Sequence, residues 1–164
     1  MSTLEVKAIQ APSGYNLQMP AGHIISTYTD VITSAVTFSS SSYVDSGLSI
    51  TLTPKSTSSK FIIQIYGKTA MDNTSENAGM QHKILRDSTT ISSANHMNYW
   101  NRLDYSDDYY PTMNVTYIDS PNTTSSITYK MQGSKYSGSL SSWTLAENNG
   151  GDSYASLIIM EVAG

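Results

Sequence analysis

The sequence contains no cysteine, which excludes disulfides, thiolate nucleophiles and zinc sites with sulfur ligands. Charged residues are also scarce: they make up 13% of the 164 residues, roughly half the share usual in globular proteins. The formal net charge is -4 and no basic cluster is visible, so we expect no binding to nucleic acid. No apolar run approaches the roughly 18 residues that a membrane-spanning helix needs, so we expect no membrane insertion.

Residues that build exposed helices are also few, because Lys, Glu and Ala are rare. Ser and Thr together make up roughly a quarter of the chain, above their usual share, and there are 12 Tyr. Tyr, Thr, Val and Ile favour strands, so the composition predicts a β-rich fold. The opening "MSTLEVKAIQ" lacks the apolar core of a signal peptide. We therefore expect the chain to be made in a cytoplasm and to be kept there or released by cell lysis.

Short alternating runs between turn-forming clusters predict an all-β domain over residues 23–164. The segment "LSITLT" (Leu48–Thr53) alternates apolar with polar residues, and "SITYKMQG" does the same. Clusters such as "TPKSTSS", "DSPNTTS" and "ENNGGDS" carry the residues that favour turns. No window sustains helical spacing with a cap and a stop signal. We predict an antiparallel β-sandwich of the jelly-roll type.

Residues 1–22 differ from the rest of the chain. Two short strand-like pieces are broken there by Pro12, Gly14, Pro20 and Gly22. Such a segment cannot bury itself alone, so we interpret it as an extended arm or stem that needs a partner chain.

The last strand-like run, "YASLIIMEVAG", bears on assembly. Leu157, Ile158, Ile159 and Met160 are apolar on both faces, whereas a strand with one wet face should alternate. One hypothesis is that the core of its own subunit covers one face of the strand and a neighbouring subunit covers the other. The alternative is a central strand inside one large sandwich.

Motifs that carry chemistry are weak throughout. The stretch "PKSTSSK" lacks the glycines of a phosphate loop and precedes a strand pattern, so it is interpreted as a turn. His23, His82 and His96 do not have metal-site spacing, and no "GxSxG" nucleophile motif occurs. The acidic run Asp104–Asp108 offers oxygens to calcium, but without EF-hand spacing a solvated loop is favoured. We predict no catalytic residue, no metal and no cofactor.

One segment is suited to binding. "NHMNYWNRLDYSDDYYP" (Asn95–Pro111) sets aromatic rings among amide and charged groups, which suits recognition of a sugar or a protein. The alternative is that these rings pack a long loop onto the sandwich or fill a subunit interface. The candidate ligand or receptor residues are Tyr99, Trp100, Arg102, Tyr105, Tyr109 and Tyr110.

Several motifs in order along the chain resemble a family of bacteriophage virion proteins, the tail-fibre-like and capsid-appendage proteins. They are "AGHIIST", "SYVDSGLSITLTPKSTSSKFIIQI", "LRDSTTI", "YIDSPNTTSSITYKMQ" and "LIIMEVA". The resemblance covers Ala21 to the end, and "LEVKAIQAPSG" is similar to stem pieces that precede such modules. It implies a trimeric knob, similar in shape to the tumour-necrosis-factor jelly roll, with the last strand near the trimer axis. It carries no catalytic motif.

The resemblance also implies roles for particular residues. The trimer interface would contain Leu157, Ile158, Ile159, Met160 and Glu161. The anchoring arm would use its apolar residues Leu4, Val6, Ile9, Leu17 and Met19. A buried Glu161 would need a partner, and our hypothesis pairs it with Lys60 or Arg86. The alternative is an exposed glutamate at a fraying strand.

The sequence-based hypothesis is a non-enzymatic virion structural protein, made in the host cytoplasm. It would be a trimeric knob or fibre on a capsid or tail, with its own copies, other virion proteins and host-surface glycans as partners. The alternative is a soluble, lectin-like glycan-binding module, followed by a glycan hydrolase hidden in the sandwich. The sequence does not separate capsid decoration from tail fibre.

Overall fold

The structure, a computed structural model, describes residues 20–73, 78–100, 110–136, 140–148 and 154–164, without the side chains at 72, 73, 78, 95–100 and 140. The regular elements in these ranges are all strands, which confirms the predicted all-β class. They are β1 (Ile24–Ile32), β2 (Val36–Phe38), β3 (Val44–Leu52), β4 (Lys60–Asn73), β5 (Ala78–Arg86), β6 (Thr89–Trp100), β7 (Thr112–Asp119), β8 (Ile127–Lys135), β9 (Leu140–Leu145) and β10 (Ala155–Val162).

Eight of these strands are nested in antiparallel pairs. β1 pairs with β10, β3 with β8, β4 with β7, and β5 with β6. The ladders of β10 with β4 and of β8 with β5 join the pairs into two sheets. The first sheet has the order β1–β10–β4–β7, and the second has the order β3–β8–β5–β6. This nested order is that of a jelly roll, as the sequence predicts.

The first sheet is longer than the second because β4 continues past its partners. Lys60–Gly67 pair with β10, and Thr69–Asn73 pair with β9, which in turn pairs with the short strand β2. The first sheet therefore contains six strands.

Alternating side chains build the core between the sheets. In β3, Leu48, Ile50 and Leu52 are buried while the serine and threonine between them are exposed. The same alternation in β4 buries Phe61, Ile63 and Ile65. Each such strand presents one apolar face to the opposite sheet, so burial of this face holds the sandwich together.

At the β9 end of the core, Phe38 stacks on Trp143 with ring centroids 4.2 Å apart. Gly133 of β8 lies beneath both rings. A Cβ at this position would come within 2.7 Å of Phe38 Cε1 and of Trp143 Cζ2. The Trp143 indole N–H also donates to the Ser134 carbonyl at 2.7 Å. Only glycine leaves room for this pair of rings.

A polar network joins the sheets at the opposite end of the core. Asp119 of β7 accepts from Arg86 Nη1 through both carboxylate oxygens, at 2.9 and 2.7 Å. The hydroxyl of Tyr129, a fully buried side chain of β8, donates to Asp119 Oδ2 at 2.7 Å. Burial, together with the neighbouring Asp119 carboxylate, raises the pKa of Tyr129. Asp119 thus connects the first sheet with two strands of the second.

Glu161 is fully buried, which supports the expectation of an internal carboxylate. Its partners differ from the expected cations. Glu161 Oε1 accepts from the Lys55 main-chain N–H and from the Ser59 hydroxyl, each at 2.7 Å. Arg86 pairs with Asp119 instead, and in the part of the chain described here no cation lies within salt-bridge distance of Glu161. The Glu161 carboxylate therefore holds the turn between β3 and β4 in place by accepting hydrogen bonds from its N–H and O–H groups.

Candidate functional site

The outer face of the first sheet is the side of β1, β10, β4 and β7 that points away from the core. β10 lies between β1 and β4, so its side chains alternate between the two sides. Of the residues predicted at the trimer interface, Leu157, Ile159 and Glu161 are buried in the subunit's own core. Ile158 and Met160 are half-buried on the outer face. Contact of these two with a neighbouring subunit stays a prediction.

Strand register aligns the outward residues in rows across the sheet. One row contains Thr27, Met160, Ile62 and Ile118. The next contains Thr29, Ile158, Gln64 and Thr116. A third contains Val31, Ser156, Tyr66 and Asn114. Large apolar side chains are exposed along these rows, with Ile118 at 61% and Val31 at 48%.

The outer face of the second sheet is of a different kind. There Asp45 pairs with Lys130 at 3.1 Å and accepts from the Gln132 amide at 2.7 Å. The Gln132 hydrogen bond, with the Lys130 contact, lowers the pKa of Asp45. The hydroxyls of Thr51 and Thr128 lie 2.8 Å apart across the strands. Paired charges and hydroxyls suit this face to water, whereas the first sheet exposes aliphatic side chains among uncharged polar ones.

A cleft of about 320 Å³ opens at the other end of the first sheet, next to the middle of β4. It is lined by Lys68, Thr69, Tyr110, Pro111, Thr112 and Glu147. Main-chain hydrogen bonds hold its walls: the Thr69 N–H donates to the Pro111 carbonyl at 3.0 Å, and the Glu147 N–H donates to the Lys68 carbonyl at 3.3 Å. The lining contains one lysine, one glutamate, the Thr112 side chain and an aromatic ring, while the buried Thr69 hydroxyl donates to the Pro111 carbonyl.

Two more tyrosines lie on the same end of the outer face. Tyr66 and Tyr154 are both exposed, and their ring centroids are 6.0 Å apart. Electrostatic interaction with the neighbouring Tyr66 raises the pKa of Tyr154. Tyr66 is adjacent to Asn114 in the ladder of β4 with β7. Exposed rings beside an amide and hydroxyls form a surface suited to sugar rings.

The candidate ligand loop is only partly described. Tyr110 is 49% exposed and lines the cleft. Tyr99 and Trp100 end β6, without described side chains, and Arg102, Tyr105 and Tyr109 lie outside the described residues. The acidic run Asp104–Asp108 and the arm residues Leu4, Val6, Ile9, Leu17 and Met19 also lie outside them. A ligand role for this loop stays a prediction.

The outward residues of β4 and β7 were not predicted as a site. The alternation of "KFIIQIYG" places Ile62 and Tyr66 opposite the core-facing residues, which is the signal that could have found them. Ile118 at the end of "MNVTYID" gives a similar signal. Recognising one face, however, requires the pairing of β4 with β7, whose strands are far apart in sequence.

Metal-site geometry is absent from the described ranges, where no three His or acidic side chains converge. His82 points into the core, 2% exposed, and its Nδ1 atom has no hydrogen-bond partner. Burial lowers its pKa to about 4. The Nδ1 atom of His23, in contrast, lies 3.0 Å from the Pro20 carbonyl oxygen at the surface. Within the described residues, no helix is long and apolar enough to cross a membrane.

No protein-family model matches this chain, and no curated protein matches it. The solved structures that are similar to it over most of its length include the following two. A chain of dimeric latent PorU from Porphyromonas gingivalis is 8% identical with a TM-score of 0.42; the match covers 88% of this chain and 14% of that one. A chain in the structure of infectious bursal disease virus, Gx strain, is 15% identical with a TM-score of 0.36; the match covers 97% of this chain and 42% of that one. At these scores neither similarity assigns a function, and the jelly roll is established by this chain's own strand pairing.

Proposed function

We propose that this chain is a non-enzymatic structural protein of a bacteriophage virion. It forms a homotrimeric knob on the capsid or tail, residues 1–22 anchor it to other virion proteins, and its exposed cleft end contacts the host surface. The ordered motifs from Ala21 to the end support the family, and the jelly roll is the fold that this family implies.

The observation that carries the assembly is the aliphatic outer face of the first sheet. Ile118 and Val31 stand exposed there, and the second sheet covers its outer face with ion pairs and hydroxyls instead. Exposed apolar side chains on one face, with the half-buried Ile62 and Met160 beside Ile118, indicate an interaction site in a soluble protein. A multi-copy assembly also multiplies weak contacts with a host cell.

Mass in solution tests the assembly. Light scattering at micromolar concentration should give the mass of three chains for the full protein and for a chain lacking residues 1–21. A stable folded monomer for the full protein contradicts the proposal. A trimer that dissociates without the arm assigns oligomerisation, rather than anchoring, to residues 1–21.

Immuno-electron microscopy tests the virion location. Antibodies raised against the purified chain should decorate intact particles of the phage whose genome encodes it. Particles that carry none of the protein contradict the virion assignment, whatever the oligomeric state.

A second candidate function, glycan binding, is favoured by the tyrosines at the cleft end. Tyr110, Tyr66 and Tyr154 are exposed near Lys68 and Glu147, a mixture of rings and polar groups that suits saccharides. A glycan array should then give saturable binding that a Tyr110→Ala variant loses. Val44→Ala, an exposed change on the second sheet, is the control. No binding across a broad array contradicts this candidate.

A further inference from the structure

We propose that Tyr66 and Tyr154 form a modification site, at which a peroxidase and hydrogen peroxide join the two rings into a dityrosine within one chain. The link connects the middle of β4 to the residue that precedes β10. This inference goes beyond the proposed function and does not depend on it, because both tyrosines belong to the same subunit.

Strand register brings the two side chains to the same place on the outer face of the first sheet. Tyr66 lies opposite Ser156 in the ladder of β4 with β10. Tyr154 precedes Ser156 by two residues, and side chains two residues apart along an extended chain point to the same side. Tyr154 is therefore the diagonal neighbour of Tyr66, a separation that aromatic side chains can span.

The two rings are in contact with each other and open to reagents. Their centroids are 6.0 Å apart, within the range of about 4.5–7 Å for interacting aromatic rings. Tyr66 is 40% exposed and Tyr154 is 38% exposed. Electrostatic interaction with Tyr66 raises the pKa of Tyr154, as expected when two phenol hydroxyls are neighbours. Both phenols can therefore be oxidised at the surface and meet without unfolding of the chain.

The ring contacts in the core do not offer this chemistry. Phe38 stacks on Trp143, and Phe61 packs against Tyr129. Each of these contacts contains a phenylalanine, which has no phenol hydrogen to lose. Tyr43, in contrast, is a half-buried tyrosine whose ring has a lysine ammonium 3.8 Å from its centroid, which makes it a suitable control.

The reaction balances with hydrogen peroxide as the oxidant. The peroxidase removes one electron and one proton from each phenol, which leaves two tyrosyl radicals and reduces the peroxide to two molecules of water. The radicals couple through the ring carbons next to the hydroxyls and form one C–C bond. Each coupled carbon then loses a proton while its oxygen takes one up, so both phenols are restored. The chain has lost two hydrogen atoms in total.

Treatment of the full chain with a haem peroxidase and hydrogen peroxide tests the site. The product should show dityrosine fluorescence and a mass lower by two hydrogen atoms. Trypsin cleaves after lysine, so after denaturation Tyr66 falls in the peptide 61–68 and Tyr154 in the peptide 136–164. The digest should contain these two peptides joined, with fragment ions that locate the bond at Tyr154 rather than at Tyr136.

Single substitutions identify the pair. Tyr66→Phe and Tyr154→Phe each remove one hydroxyl from an exposed ring, so both variants should fold. Each should lower the yield of the joined peptides at least tenfold, whereas Tyr43→Phe, the matched control, should leave the yield unchanged. A denaturing gel should show the joined peptides in the band of single-chain mass, because both tyrosines lie in one chain.

The cross-link has a consequence for a chain that contains no cysteine. A bond between residues 66 and 154 restricts the unfolded chain, as a disulfide does. The linked chain should therefore unfold at a higher urea concentration than the Tyr66→Phe variant treated with the same oxidant. Equal midpoints contradict a stabilising role for the link.

Two results overturn the inference itself. One is a digest without the joined peptides 61–68 and 136–164, while free tyrosine in the same mixture is converted to dityrosine. The other is a gel in which the joined peptides occur only in the band of double mass, because the bond then forms between chains. Neither result bears on the proposed assembly, which light scattering measures on the chain before oxidation.

Discussion

His82 should make the stability of this protein depend on pH between 6.5 and 4. The imidazole is 2% exposed, its Nδ1 atom has no partner, and burial lowers its pKa to about 4 from the ordinary 6.5. Below pH 6.5 the unfolded chain therefore binds a proton at this imidazole, whereas the folded chain keeps the imidazole neutral until the pH approaches 4. Stability contributed by the neutral imidazole is fully present above pH 6.5, falls as the pH falls, and is lost by about pH 4.

The size of this effect follows from the difference between the two pKa values. Each pH unit between them changes the free energy of unfolding by about 1.4 kcal/mol. The interval from 6.5 to about 4 therefore corresponds to a loss of about 3 kcal/mol, a large part of the total stability of a domain of this size.

Urea unfolding at fixed protein concentration provides the assay, with the fluorescence of the buried Trp143 as the signal. A His82→Met variant keeps a side chain of similar size and removes the titration. The unmodified protein should lose about 3 kcal/mol more than the variant between pH 7 and pH 4. Subtracting the two curves cancels the carboxylates that also titrate in this range. Parallel curves refute the reasoning, as does an NMR titration of His82 in the folded protein with a midpoint near 6.5.

Substitutions at Asp119, Glu161 and Gly133 test the buried polar groups and the close packing beneath the aromatic stack. Asp119→Ala should lower the free energy of unfolding by about 3 kcal/mol, because it leaves the buried Tyr129 hydroxyl and the Arg86 guanidinium without their acceptor. Asp45→Ala, the control, breaks an exposed ion pair and should lower the free energy of unfolding by under about 1 kcal/mol. Glu161→Ala should cost about 2 kcal/mol in urea unfolding, and Glu161→Gln less, because an amide oxygen still accepts the two donors of the turn; equal losses contradict this role. Gly133→Ala should cost about 3 kcal/mol or fail to fold, because its methyl group would enter the aromatic stack; a variant as stable as the unmodified protein contradicts the packing.

The fold class could be predicted from the sequence because it depends on local patterns. Alternation in "LSITLT" corresponds to the buried Leu48, Ile50 and Leu52, and the turn expected at "PKSTSSK" separates β3 from β4. The β-sandwich follows, since such strands have one apolar face each to bury.

The partners of particular side chains could not be predicted in the same way. Glu161 was expected to meet Lys60 or Arg86, but the sequence does not show which groups the pairing of distant strands brings close. Asp119 pairs with Arg86 because β7 and β5 end at the same edge of the core. Glu161 accepts hydrogen bonds from the turn between β3 and β4, which lies beside β10. Asp119 bonds to the arginine and the tyrosine that the ladders place beside it. Glu161 accepts its two hydrogen bonds through Oε1, and among the described residues its buried Oε2 atom has no partner.

The same register explains why one end of the first sheet is unusual. Glu161, Phe61 and Asp119 form one row across β10, β4 and β7, with their side chains toward the core. The adjacent row, Met160, Ile62 and Ile118, points outward. Here the inner row carries two carboxylates and the outer row is aliphatic, which reverses the polarity expected of a sheet with one face in water.

The reversal has a physical consequence for each side. Inside, the carboxylates need fixed donors, so the turn before β4 and the arginine of β5 are held in place. Outside, the aliphatic row gains free energy only when another surface covers it. A variant that restores ordinary polarity, with Ile62, Met160 and Ile118 all changed to threonine, should stay folded, because the core-facing row is untouched. It should lose association in light scattering, and retained association would show that the outer row has no part in assembly.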